Sequence, residues 1–140
     1  MSIEEIENEI IEEFEFFGDD WEPKYEHLID LGKSLPKIKE EEKTDEKIIK
    51  GCQSRVWLNS EKQGDKIVFT ADSDAIITKG MVALMIRVLS GQNAKDIIEA
   101  KLDFVDKIGL KEHLSPTRAN GLVSMINRMK MDALRLAGND

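Results

Sequence analysis

The residue in this chain best suited to covalent chemistry has no second copy. Cys52 is the sole cysteine, set in Gly51-Cys52-Gln53-Ser54 just before a run rich in β-branched and aromatic residues. Glycine lets a backbone turn sharply, so the thiol can stand at the tip of a loop rather than inside an element. Loop amides and the side chains of Gln53 and Ser54 offer donors to a sulfur anion. The thiolate is the reactive form, and no histidine is adjacent in sequence. The groups left to lower a pKa that starts near ~8.5 are Arg55, Arg118 and the loop amides. The competing reading is a turn whose cysteine merely packs as a small hydrophobe. A single cysteine rules out an internal disulfide and any structural zinc site built from several thiolates.

Other reactive types are less concentrated. Asp72-Ser73-Asp74 is a short acidic cluster, but Ser73 or Asp72 before a long apolar run reads more simply as a helix cap. His27 and His113 lie far apart without a supporting pattern, which favours surface or packing roles over metal. The six methionines fall mostly at helix-face spacing and read as core filling. Gly80 and Gly91 match no phosphate-binding loop. Arg118 lies in the first turn of an expected helix, where a cation opposes the helix dipole. Solvation explains that placement, and so does a role in holding an anionic sulfur.

The elements that must position these residues follow from periodicity. Residues 2–17 form a helix with Ile3, Ile6, Ile10, Phe14 and Phe17 on one stripe and a capping box at Ser2 and Glu5. A second helix begins near Asp20, with Trp21, Tyr25, Leu28 and Leu31 inward, and is stopped by Gly32 and Pro36. Residues 37–47 are a mixed-charge loop. Residues 55–59 and 66–70 read as strands around a turn at Gln63-Gly64-Asp65, and 48–50 as a short additional strand. Residues 74–89 are apolar almost all round, marking a helix buried in the core. Asn93 caps a short helix at 94–100, another covers 102–108, and Ser115-Pro116 opens the last. Its inner face carries Leu122, Met125, Ile126, Met129, Ala133 and Leu136. The fold class is α+β, a small antiparallel sheet of two to three strands packed with helices, in one domain spanning residues 1–140.

Charge and composition exclude several functions. The chain has 140 residues, 41% hydrophobic and 34% charged, with a formal charge of −8, as expected of a soluble globular domain. Residues 1–22 carry ten acids and no Lys or Arg, and residues 107–135 carry six basic residues against two acids. The acidic stretch reads first as a solvated helix face and second as a docking surface. The overall sign argues against nucleic acid. No stretch approaches the roughly 18 apolar residues of a membrane span, and the acidic start does not resemble a secretory signal. The expected location is the cytoplasm.

From Trp21 onward the sequence resembles the SufE family. The resemblance is carried by Trp21 with Lys24-Tyr25, by Leu31-Gly32-Lys33, and by Gly51-Cys52-Gln53-Ser54 with Val56-Trp57. It continues through Ser73-Asp74-Ala75, Lys79-Gly80 and Leu114-Ser115-Pro116-Thr117-Arg118 with Gly121-Leu122. Each segment is short, but their order and spacing together are specific. Thr78 departs from the pattern, standing where an aliphatic residue is usual, and Met81 stands where leucine is common.

The resemblance implies an IscU-like α+β fold and a partner cysteine desulfurase that uses pyridoxal phosphate. Cys52 inherits the role of sulfur acceptor, and an iron–sulfur scaffold complex is the implied downstream partner. Arg118 and Asp72-Ser73-Asp74 fall on family motifs. With Gly51, Gln53, Ser54 and Arg55 they are the residues expected to support a persulfide or contact the partner. No metal or cofactor is expected on this chain. Three rivals stand beside this reading. An iron–sulfur scaffold wants several thiolates; a Cys-His hydrolase needs His27 or His113 within reach of Cys52; a docking module could activate a desulfurase with an inert cysteine.

Overall fold

A computed structural model describes residues 1–138. Helix α1 (Ile3–Glu15) starts as its sequence dictates: the Ser2 hydroxyl accepts from the Glu5 amide at 3.1 Å and the Glu5 carboxylate accepts from the Ser2 amide. Ile10 and Phe14 are buried, while Ile3 and Ile6 pack at the core's edge. The acidic surface of α1 is partly used within the fold. Arg87 ion-pairs with Glu9 and Glu13, and Glu13 also meets His27 at 3.0 Å.

Helix α2 (Trp21–Lys33) runs through Gly32 rather than stopping at it. Gly32 is buried against Gly80 of α3 (Ile76–Leu89), and a β-carbon there would lie 3.0 Å from the Gly80 amide nitrogen. The two glycines therefore mark a close helix crossing. Helix α3 is the centre of the molecule, with every residue from Met81 to Ile86 buried. It touches α1, α2, the sheet and the last helix, α7 (Pro116–Ala137), which explains its apolar sequence on all sides.

Strands β1 (Val56–Gln63) and β2 (Lys66–Ser73) form an antiparallel hairpin, registered from Gln63 opposite Lys66 to Val56 opposite Ser73. Both are longer than the sequence signals indicate. Along β2, Ile67, Phe69, Ala71 and Ser73 alternate inward. The third strand is not at residues 48–50, where Ile48 makes a single bridge to Trp57. It is β3 (Gln92–Asn93), on the far side of β2. Three short helices follow, α4 (Ala94–Glu99), α5 (Phe104–Lys107) and α6 (Leu110–His113). Asn93 caps α4 as expected, through the Asp96 amide at 2.8 Å. The long α7 (Pro116–Ala137) buries Leu122, Met125, Met129 and Ala133. None of the helices in the described residues is long and apolar enough to cross a membrane.

The connection at 37–47 contains two short 3₁₀ turns, Glu40–Glu42 and Asp45–Lys47. It is tied to the sheet by Asp72, whose carboxylate meets Lys43 at 2.7 Å and Lys79 at 3.2 Å. Lys43 also lies over the Trp57 ring. Burial alone would raise the Asp72 carboxyl, but hydrogen bonds from Lys43, the Ser73 amide and Lys79 prevail and hold it at about 2. A depressed carboxyl stabilises the fold above its unfolded pKa, and that contribution fades as pH falls from about 4 to about 2. Roughly 2 kcal/mol should be lost across that window. Denaturant titrations at stepped pH should show the loss in the wild type and a visibly flatter acid limb in Asp72→Asn.

Candidate functional site

The segment before β1 is bent onto α7. Gly51 has φ +94°, and a β-carbon there would lie 2.4 Å from the Ser124 hydroxyl. The left-handed backbone favours glycine, and any side chain there would also have to displace the Ser124 hydroxyl. The next residue, Cys52, is thereby turned inward and partly buried. Its Sγ lies 3.6 Å from the Gly121 carbonyl oxygen of α7, within range of a weak S–H donation.

The thiol faces a cavity of about 40 Å³. The loop contributes Cys52, Gln53 and Ser54, α3 contributes Thr78 and Met81, and α7 contributes Thr117, Arg118, Gly121 and Met125. A water's share of liquid volume is about 30 Å³, so the space admits roughly one additional small group. Larger recesses, such as the 460 Å³ groove between α1 and α4–α5, are open and hold no thiol.

Burial pushes the Cys52 thiol up, not down. The expected depression by Arg55, Arg118 and the loop amides is not found, and desolvation is what sets the direction. Arg55 is absent from the cavity. Its amide instead donates to Asp74 Oδ1 at 3.1 Å, and its carbonyl accepts from the Ser73 hydroxyl at 2.8 Å and the Asp74 amide at 3.3 Å. Arg118 does reach the cavity rim but is exposed, and its amide donates to the capping Ser115 hydroxyl at 3.3 Å.

The acid-serine-acid segment is not a helix cap. The N-cap of α3 is Ala75, with no side-chain capping bond. Ser73 and Asp74 instead clamp the backbone of Arg55 where the cysteine loop enters β1, and Asp72 faces Lys43 and Lys79. Ser73 and Asp74 hold the exit of the loop, Asp72 anchors the 37–47 connection, and none of the three lines the cavity.

Neither histidine belongs to the site. His27 is engaged by Glu13 and the rings of Phe14 and Phe17, and His113 stacks on Trp21 at 4.0 Å between ring centroids. No imidazole lines the cavity, which removes the basis for the Cys-His hydrolase. Of the expected residues, Gln53, Ser54 and Arg118 gather around Cys52, with Gly51 shaping the turn. The residues that sequence reasoning did not assign to the site are Thr78, Met81, Thr117, Gly121 and Met125. The available signals were a threonine in a largely apolar helix and the placing of Thr117 and Gly121 in the segment that carries the family resemblance.

The architecture is a small α+β domain that shelters one thiol at the tip of a loop. Residues 8–133 match the SufE family, described as an Fe-S metabolism associated domain. The chain is 46% identical over 132 residues to an uncharacterized SufE-like protein of Rhizobium meliloti, covering 90% of this chain and 93% of that one. It is 38% identical over 137 residues to SufE-like protein 1, chloroplastic/mitochondrial, of Arabidopsis thaliana, covering 96% of this chain and 37% of that longer one. The solution structure of a hypothetical protein from Thermus thermophilus has the same fold, with a TM-score of 0.79 at 18% identity, covering 95% and 96% of the two chains. This chain belongs to the SufE family, a family associated with iron–sulfur metabolism.

Proposed function

We propose that this protein accepts sulfur on Cys52 from a pyridoxal-phosphate-dependent cysteine desulfurase and passes it on for iron–sulfur cluster assembly. The observation that carries the reading is a lone thiol, partly buried, facing a cavity with room for one more small group. In the transfer, the Cys52 thiol first gives its proton to solvent or the partner. The thiolate then attacks the outer sulfur of the partner's cysteine persulfide. A bond forms between Cys52 Sγ and that sulfur, the partner's S–S bond breaks, and the partner's cysteine leaves as thiolate. No electrons are exchanged with a third party, and Cys52 is left as a persulfide. Because burial raises the thiol, the partner must supply the environment that ionises it, which keeps the resting protein unreactive. A thiol kept reduced fits a reducing compartment such as the cytoplasm. Intact mass after incubation with cysteine and the cognate desulfurase tests the reading. One added sulfur atom per chain, localised to Cys52, is expected; an unmodified mass under turnover would reject it.

Arg118 is the cation at the cavity rim, and in this reading it steers or holds the anionic sulfur. Arg118→Ala should slow transfer roughly tenfold at subsaturating partner, the scale of one hydrogen bond to a charged group, and leave the melting temperature unchanged. Arg118→Lys should recover most of the rate if charge alone matters, and little if a planar two-point contact matters. Identical transfer kinetics in Arg118→Ala and the wild type would leave the residue an ordinary solvated cation.

A further inference from the structure

Among the polar side chains that line the Cys52 cavity, Thr78 is the buried one, and the fold leaves its hydroxyl unused. It sits in the first turn of α3, is only 6% exposed, and lines the cavity. Its hydroxyl makes no hydrogen bond among the described residues. No side-chain nitrogen or oxygen sealed from solvent lacks a partner there. A hydroxyl without one is therefore at least partly open to solvent, and the recess that Thr78 lines is the Cys52 cavity. Met81 of α3 and Met125 of α7, which also line the cavity, are thioethers and cannot donate a hydrogen bond.

Because it is not sealed from solvent, the Thr78 hydroxyl can be satisfied by water in the free protein. The same hydroxyl suits a guest that brings an acceptor. A second sulfur bonded to Cys52 extends about 2 Å beyond Sγ. When its proton leaves to solvent, that outer sulfur carries a negative charge in a partly desolvated space. An anion there needs a donor. We propose that Thr78 donates a hydrogen bond to the outer sulfur of the Cys52 persulfide and stabilises its anionic form within the cavity. The assignment rests on the sulfur-acceptor reading above.

The test loads the sulfur chemically, so that it does not depend on a desulfurase. A Cys52 mixed disulfide is treated with hydrosulfide, which attacks the Cys52 sulfur. This forms the persulfide and releases the blocking thiolate. Alkylation by iodoacetamide is then followed across pH by intact mass, for the wild type, Thr78→Val and Thr78→Ser. The wild-type persulfide should titrate lowest. Thr78→Val should move the midpoint up by roughly one pH unit, a tenfold change in the ionisation constant, and Thr78→Ser should restore it. Unloaded Thr78→Val should melt at the wild-type temperature, because the hydroxyl it loses has no partner in the protein.

A midpoint in Thr78→Val equal to the wild type, or a shift that serine fails to reverse, overturns the assignment. So does a large fall in the melting temperature of the unloaded valine variant, which would mark a structural role. Failure of the desulfurase to load wild-type Cys52 would instead sink the acceptor reading, and the chemically loaded protein keeps the two results separate.

Discussion

Cys52→Ser is expected to fold like the wild type and to lose all stimulation of a cysteine desulfurase's turnover. The fold part follows from how little the sulfur does for stability. Its one polar contact is the 3.6 Å approach to the Gly121 carbonyl, which a serine hydroxyl can match or improve. The loop is shaped by Gly51 against Ser124 and held at its exit by Ser73 and Asp74, none of which changes. The functional part follows from chemistry, because an alcohol at this site is neither acidic nor nucleophilic enough to displace sulfur from a persulfide. With no second cysteine in the chain, no other thiol can substitute. Turnover measured with saturating cysteine should fall to that of the desulfurase alone. Undiminished stimulation would show that docking by itself activates the partner, and would replace the acceptor reading with the binding-module one.

What could be read from sequence was local, and what could not was set by tertiary partners. The α1 capping box, the turn at Gly64, the Asn93 cap and the Ser115-Pro116 start are decided within a few residues, and each stands where expected. Gly32 shows the limit. A glycine that ends a helix and one that lets two helices touch look alike until the partner, Gly80, is known. Strand β3 has no strand composition and is recruited only because the edge of β2 lies beside it, whereas the β-branched pair Ile48-Ile49 makes one bridge and stops. At the site, Gln53, Ser54 and Arg118 were legible because they share the loop or begin a helix with a clear cap. Thr78 was not, because the cavity exists only where α3 and α7 close over the loop. The direction of the Cys52 shift was missed for the same reason, since burial is a property of the assembled fold.

Gly80→Ala should be the most destabilising small substitution in the chain. A β-carbon at this position would lie 2.2 Å from the Leu28 carbonyl oxygen and 2.8 Å from its carbon, both backbone atoms of α2. No rotamer change can relieve contact with a backbone, so α2 and α3 must separate. Overpacking of this kind costs about 3 kcal/mol, and the roughly 1 kcal/mol by which alanine favours a helix interior offsets only part of it. The net loss of about 2 kcal/mol should lower the melting temperature by roughly 6–8 °C for a chain of this size. Gly64→Ala is the control. Gly64 also has positive φ, at +65°, but nothing lies within 4 Å of the added carbon. Its cost should be limited to the backbone strain of about 1–2 kcal/mol. The consequence at Gly80 reaches the site as well, because Thr78 and Met81 flank it on α3 and line the Cys52 cavity. Displacing α3 should therefore alter access to the thiol, read as faster alkylation of Cys52 in the folded variant. Equal melting temperatures for Gly80→Ala and Gly64→Ala would show that the crossing yields more easily than a 2.2 Å backbone contact allows.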